Sequence, residues 1–390
     1  MKFKFPDNFF WGTSTAFAQI ETATDHNWKG VESKDGYTFL RTIDHEKRRV
    51  EDAGYIKQFG TVYRCGVDWA RLQSAPFADF DLDVVKEYRT FFEDLISGGM
   101  EILFVIHHFT NPLWFEENGT WLNEDNIPAF LDFAQKCIDH FSDQVAFWNT
   151  FNEPAVYAMN GFVVGNFPPF KKNIFKGNKV LRNMGRAHEI TYRMLKKNNP
   201  EKQVGISKNT GWFKGTNAIG SMLAKFVDWW FIDYAASHFK TVDFWGVSYY
   251  AYVPFTPFPV TEIDNPGKLD KLRIPHDKMW GYYPDGLRQI LIRFHKKYGL
   301  PIMITENGVC TDDARFRKES MRNYLEACHG ALEAGVDLIG YIYWSTFDNF
   351  EWNLGPTYRF GLVEVDMDTM ERKMTPAGEL YKTITQNNGI

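Results

Sequence analysis

Residues 300–309 read LPIMITENGV, in which three apolar strand formers, Ile302, Met303 and Ile304, end abruptly in Thr305-Glu306-Asn307-Gly308. A short continuous apolar run bounded by turn residues is what a strand buried on both faces of a parallel sheet requires. Glu306 therefore stands at the tip of a buried strand, as a solvated turn residue or as a group held there for chemistry. Working outward, seven more runs have strand character: FFWGTST (9–15), TVYRCGV (61–67), EILFVIHHF (101–109), VAFWNTF (145–151), QVGISKN (203–209), VDFWGVSYY (242–250) and LIGYIYWSTF (338–347), with PIMITEN (301–307) as the seventh in chain order.

Between these runs lie amphipathic helical patterns at 84–99, 127–141, 181–197, 286–299 and 315–335. After the last strand comes TPAGELYKTITQ (375–386), with Thr375 placed to cap and Pro376 at the first helical position. Eight strands alternating with helices, without a composition break or a Gly/Ser linker, predict the α/β class: a single (β/α)8 TIM barrel forming one catalytic domain over residues 1–390. A doubly wound open sheet is the alternative, but it would usually place a glycine-rich phosphate loop after an early strand, and none is evident. The connection 251–283 is long, proline-rich and without helical periodicity, which on a barrel marks a functional loop.

The 390 residues are 44% hydrophobic, enough for a sizeable core, and the net charge of −5 with dispersed Lys and Arg argues against a nucleic-acid partner. No apolar run is long enough to span a membrane or to form a signal peptide, and Cys65, Cys137, Cys310 and Cys328 form no CxxC pair. A reduced, cytoplasmic protein without membrane association is the expectation. Aromatic residues make up 17% of the chain, more than a core alone requires, and flat rings with polar edges suit a site that stacks against a ligand.

In a (β/α)8 barrel the chemistry lies at the C-terminal strand ends. There the sequence places Gln19 and Glu21, Arg64, His107-His108, Asn152-Glu153-Pro154, Tyr249-Tyr250, Glu306-Asn307, and Trp344 followed by Asp348-Asn349-Phe350-Glu351-Trp352. Glu153 and Glu306 end strands three apart, so they can face each other across the barrel. Two carboxylates flanking a substrate, one protonated and one ionised, are the equipment of glycosidic bond cleavage. Arg64 and Tyr250, if they reach Glu306, hold it ionised. Glu153 in apolar surroundings has its pKa raised and can donate a proton. Gln19, His108 and Glu351 offer the mixed donors and acceptors that read sugar hydroxyls. A metal site at His107 and His108 is disfavoured, because adjacent strand residues point to opposite faces; His107 reads as a core histidine. The chemistry calls for no metal and no cofactor.

These residues resemble glycoside hydrolase family 1, the retaining β-glycosidases, over nearly the entire chain: FFWGTSTAFAQIE (9–21), YRCGVDWARL (63–72), HHFTNPLWF (107–115), WNTFNEP (148–154), ITENG (304–308), YWSTFDNFEW (343–352) and RFGLVEVD (359–366). The resemblance implies Glu153 as acid/base and Glu306 as nucleophile. It implies Gln19, His108, Asn152, Glu351 and Trp352 as ligands of the non-reducing-end sugar, Trp344 as its platform, and Arg64 and Tyr250 as the contacts of the nucleophile. Members acting on 6-phosphorylated sugars carry Ser, Lys and Tyr where this chain has Trp352, Tyr358 and Phe360, so an unphosphorylated glycone is implied, with Phe360 among the substrate contacts. Ser248, where the family usually has Asn, and Thr110, where it usually has Asp, depart from the pattern. The expected function is a retaining exo-β-glycosidase acting on terminal β-D-glucosyl, β-galactosyl or β-fucosyl residues of a small β-glycoside or oligosaccharide. An endo-β-1,4-glucanase and an inactive sugar-binding barrel are the alternatives, and oligomeric state is left open.

Overall fold

The computed structural model describes residues 3–256 and 266–390. Eight parallel strands, β1 (Phe10–Ser14), β2 (Val62–Gly66), β3 (Glu101–His107), β4 (Val145–Asn152), β5 (Gln203–Gly215), β6 (Phe244–Phe255), β7 (Ile302–Asn307) and β8 (Leu338–Trp344), close into a barrel in chain order. The expected (β/α)8 architecture is the one observed. The crossovers include helices Leu82–Ser97, Ile127–Phe141, Ile174–Asn198, Ala218–Asp228, Pro284–Tyr298 and Ala314–Glu333. Helix starts follow local chemistry: the Asp81 carboxylate accepts from the N–H groups of Asp83 and Val84, Asp313 does the same for Arg315 and Phe316, and Thr375 accepts from Gly378.

Two apolar layers fix the frame. Val62, Leu103, Val105, Phe147, Phe244, Met303 and Ile342 fill the barrel interior, and a larger cluster packs the outer strand faces against the helices. Because side chains alternate along a strand, the inward positions two residues beyond Val62 and Phe147 are Arg64 and Asn149, both fully buried. The apolar plug thus gives way to a polar layer towards the C-terminal strand ends.

The structure departs from the sequence reading at β5 and β6. They run on to Gly215 and Phe255 and pair with each other beyond the barrel, from Gly211↔Ala251 to Gly215↔Phe255. Pro254 suggested a loop, but where β5 is the ladder neighbour a missing N–H on the other edge costs no ladder bond. Residues 257–265 of the 251–283 connection lie outside the described residues; the part after them contains a short helix, Pro266–Lys271, that the sequence reading lacked. All four cysteines are buried and free, and among the described residues no helix is long and apolar enough to cross a membrane.

Candidate active site

Glu153 follows β4 directly and adopts a left-handed backbone conformation, with φ 42° and ψ 57°, before Pro154 starts the short helix Pro154–Ala158. A side-chain-bearing residue held in that region is strained, and such outliers concentrate where a side chain must be presented at one place. The turn is fastened by the Glu153 N–H donating to the Ser207 carbonyl on β5 (2.8 Å).

Glu306 is aimed by a different device. The β6–β7 register runs Val247↔Ile304 and then Ser248↔Glu306, so one extra residue, Thr305, is accommodated on β7. A bulge of this kind reverses the alternation and re-aims the next side chain. Asn307 locks the arrangement, donating to the Tyr249 carbonyl (2.5 Å) and accepting from the Tyr341 hydroxyl (2.7 Å). Gly308 is needed because a Cβ there would lie 2.0 Å from the Trp344 carbonyl oxygen.

Around Glu306 the polar layer forms a continuous network. Arg64 donates to Glu306 Oε1 (2.7 Å), to Asn152 Oδ1 (2.5 Å) and to Ser207 Oγ (3.0 Å), and the Tyr250 hydroxyl donates to Glu306 Oε2 (2.9 Å). With its oxygen on Arg64, the Asn152 amide donates through Nδ2 to His108 Nε2 (2.8 Å). That requires a neutral His108, and burial followed by the Arg64 charge holds its pKa well below the usual histidine value. Gln19 donates to Asn349 (3.1 Å), to the Phe350 carbonyl (3.0 Å) and to Glu351 (3.4 Å). His108 Nδ1 and Gln19 Oε1 are buried without a partner among the described residues.

The two carboxyls differ in their surroundings. Burial raises Glu153, the Glu306 charge raises it further, and Asn209, donating to Oε1 (2.8 Å), offsets part of this, leaving its pKa at about 8. Ser248 stands near enough to oppose the rise, although its hydroxyl makes no well-formed hydrogen bond among the described residues. Burial also raises Glu306, a net direction opposite to the sequence expectation, but there Arg64 and Tyr250 pull back. Of the two, Glu153 alone has both burial and a neighbouring carboxylate acting against ionisation, so Glu306 is the one that ionises first. Glu351 is likewise raised to about 8, by burial first and then by the Glu306 charge.

These groups open into a cavity of about 360 Å³. His108, Asn152, Glu153, Tyr250, Glu306, Trp344, Glu351, Trp352 and Phe360 line it. Gln19 and Arg64 lie behind that lining and act on it through the hydrogen bonds above. Trp352 is wedged against Trp28 (5.0 Å between centroids) and Phe109 (5.3 Å). Glu21, grouped with the strand-end residues by sequence, turns away to Arg49 (2.8 Å) and Tyr88 (2.7 Å). His107 is buried against Trp121, Phe151 and Tyr157 and pairs with Asn111 (2.9 Å). No cluster of three or more metal-ligating side chains occurs among the described residues.

The sequence model of glycosyl hydrolase family 1 matches residues 1–219 and 232–390. The chain belongs to that family. The family-1 β-glucosidase A of Thermotoga maritima is 28% identical over 99% of both chains, and β-glucosidase A of Acetivibrio thermocellus is 26% identical over 100% of both. Among solved structures, a β-glycosidase from Pyrococcus horikoshii superposes with a TM-score of 0.89 at 30% identity, covering 100% of this chain and 96% of that one. This family 1 protein is a glycosidase, as its motifs led one to expect.

Three features of the family 1 site escaped the sequence reading. Asn209, the last residue of the expected fifth strand, bonds Glu153 and could have been found as one more polar strand-end residue. Lys208 is fully buried, donates to the carbonyls of Asn209 (2.8 Å) and Phe231 (2.5 Å), and lies 4.6 Å from the Phe231 ring centroid. Burial lowers its pKa to about 7, against the attraction of Glu153. Asp277 accepts from the N–H groups of Met279 (2.7 Å), Trp280 (2.7 Å) and Cys310 (2.9 Å), which fixes Trp280 at the cavity edge. The long-range bonds among these, Lys208 to the Phe231 carbonyl and the Cys310 N–H to Asp277, leave no local signal.

Proposed function

We propose that the protein is a retaining exo-β-glycosidase that removes terminal non-reducing β-D-glucosyl, β-galactosyl or β-fucosyl residues by double displacement, as a single catalytic domain in a reducing cytoplasm. Glu306 attacks the anomeric carbon while Glu153 protonates the departing oxygen; Glu153 then takes a proton from water as the water displaces Glu306. The observation that carries this reading is the asymmetry of the pair: Glu306 receives Arg64 and the Tyr250 hydroxyl, whereas Glu153 is buried beside the Glu306 charge with one amide donor. The buried His108 Nδ1 and Gln19 Oε1 supply a spare donor and acceptor for sugar hydroxyls. In this reading Asn152, fixed between Arg64 and His108, takes the 2-hydroxyl and Trp344 the sugar face.

The test is release of p-nitrophenol from the β-glucoside, β-galactoside and β-fucoside, with wild type compared with Glu306→Gly. Hydrolysis is expected to fall below detection in the variant and to return when azide is added, with the glycosyl azide as product. Native activity retained in Glu306→Gly would remove Glu306 from the nucleophile role.

A further inference from the structure

The cavity has a second part that the sugar-binding groups do not use. Its walls are Val156 and Met159 after Glu153, Phe213 and Val253 on the β5–β6 extension, and Val227 and Phe231 from the crossover between those strands. The polar groups on this side turn part of their hydrogen-bonding capacity into the protein. Asn209 donates to Glu153 (2.8 Å), the Thr210 hydroxyl donates to the Ser248 carbonyl (2.9 Å), and Asn166 donates to Asn160 (3.4 Å). A second sugar ring here would press its hydroxyls against Val, Met and Phe with few free partners, and a desolvated hydroxyl without a partner is unfavourable. A hydrocarbon has no such penalty and gains from leaving water.

The shape of the wall separates a chain from a flat aromatic group. Phe213 meets Phe231 edge to face (83°, 5.9 Å) and Phe255 at 66° (6.1 Å), so these rings do not form a parallel-sided slot. Branched aliphatic side chains and a thioether complete the surface, and methionine adapts to irregular apolar shapes.

We propose that this half of the cavity is an aglycone site for a flexible hydrocarbon chain, so that β-glycosides of medium- and long-chain alcohols are the preferred substrate class over oligosaccharides. The proposal rests on the glycosidase reading of the same cavity.

The test uses the glycone ranked first by the p-nitrophenyl assay. Sugar release is followed from its methyl, butyl, hexyl and octyl β-glycosides below their micelle-forming concentrations, and from the corresponding β-1,4-linked disaccharide. The expected result is a rise in kcat/KM of roughly two- to fourfold per buried methylene, until the site is filled, with the octyl compound at least about tenfold above both the methyl glycoside and the disaccharide. A flat series, or a disaccharide that matches the octyl glycoside while p-nitrophenyl turnover is intact, overturns the proposal and leaves the glycosidase reading standing. Absence of turnover on every compound, p-nitrophenyl glycosides included, overturns both. Val227→Asn and Val164→Asn, each at a half-exposed lining position and checked for an unchanged Tm, are expected to lower the octyl-to-methyl ratio about tenfold. An unchanged ratio in both folded variants also overturns the proposal.

Discussion

The polar side of the cavity is built from barrel strand ends and the apolar side from the β5–β6 extension and the helices beside it, and the two differ in where their hydrogen-bonding groups point. On the polar side Arg64, Asn152 and His108 support one another, Gln19 holds Glu351, and His108 Nδ1 and Gln19 Oε1 remain without a partner among the described residues. On the apolar side Asn209 and Thr210 direct their donors into the protein. The first arrangement suits a ligand dense in hydroxyls, and the second suits one without them. Glu153 stands where the two meet, which is where a bond between a sugar and its aglycone would lie.

The strongest way to break this division is to remove the proton that Glu153 carries. Glu153→Gln is expected to lower kcat/KM for an alkyl glycoside by about 10²–10⁴-fold, and much less for a dinitrophenyl glycoside, whose leaving oxygen needs no proton. In wild type kcat/KM should fall as pH rises through about 8, where Glu153 ionises, and this basic limb should vanish in Glu153→Gln. The sign for stability follows from the same shift. A carboxyl whose folded-state pKa is raised to about 8 favours folding only while protonated, so wild type loses stability from its unfolded pKa upward to about pH 8. The variant should therefore gain Tm over wild type at pH 8 and little at pH 4. Equal pH–rate profiles for the two proteins would remove Glu153 from the acid role.

A smaller loss is expected from Arg64→Met. Arg64 is fully buried and holds Glu306, Asn152 and Ser207 together. Without the guanidinium, the forces opposing Glu306 protonation shrink to the Tyr250 hydroxyl, so its pKa rises and the acidic limb of kcat/KM should move to higher pH. Loss of one preorganised charged donor costs about 10²–10³-fold in kcat. A variant that is slower without a moved acidic limb would mean that Arg64 only supports the fold.

The same contrast explains what could be read from the sequence. Alternating strand and helix patterns yielded the barrel, because eight apolar runs need both faces covered and short crossovers bring them together. The polar side was legible because its chemistry demands particular residue types at strand ends: Glu153, Glu306, Arg64, His108 and Tyr250 all stand out from apolar neighbours. Their orientation was not legible. The extra residue at Thr305 and the shift between Asn149 and Asn152 break the two-residue alternation just where Glu306 and Asn152 must turn inward. The apolar side left no mark, since Val156, Phe213, Val227 and Val253 look like any core residue until the β5–β6 extension carries Phe213 and Val253 past the rim and the helices bring Val156 and Val227 beside them.

The subtlest probe of the boundary is Lys208, an ammonium buried behind the apolar wall. It ties β5 to that wall through the Phe231 carbonyl (2.5 Å), and its charge is felt by Glu153. Lys208→Met keeps the volume but removes both effects. The buried Phe231 carbonyl loses a donor, at a cost of about 1–3 kcal/mol, and the partly buried Asn209 carbonyl loses one at less, so Tm should fall. The wall under Phe231 should loosen, lowering the octyl-to-methyl ratio a few-fold. Removing a positive charge near Glu153 should also move the basic limb of kcat/KM to higher pH, by less than the Arg64 change moves the acidic one, because Lys208 has a pKa of about 7 and is only partly charged there. A lower Tm with the ratio and the basic limb both unmoved would make Lys208 a packing residue alone, and the two sides of the cavity would then be independent of it.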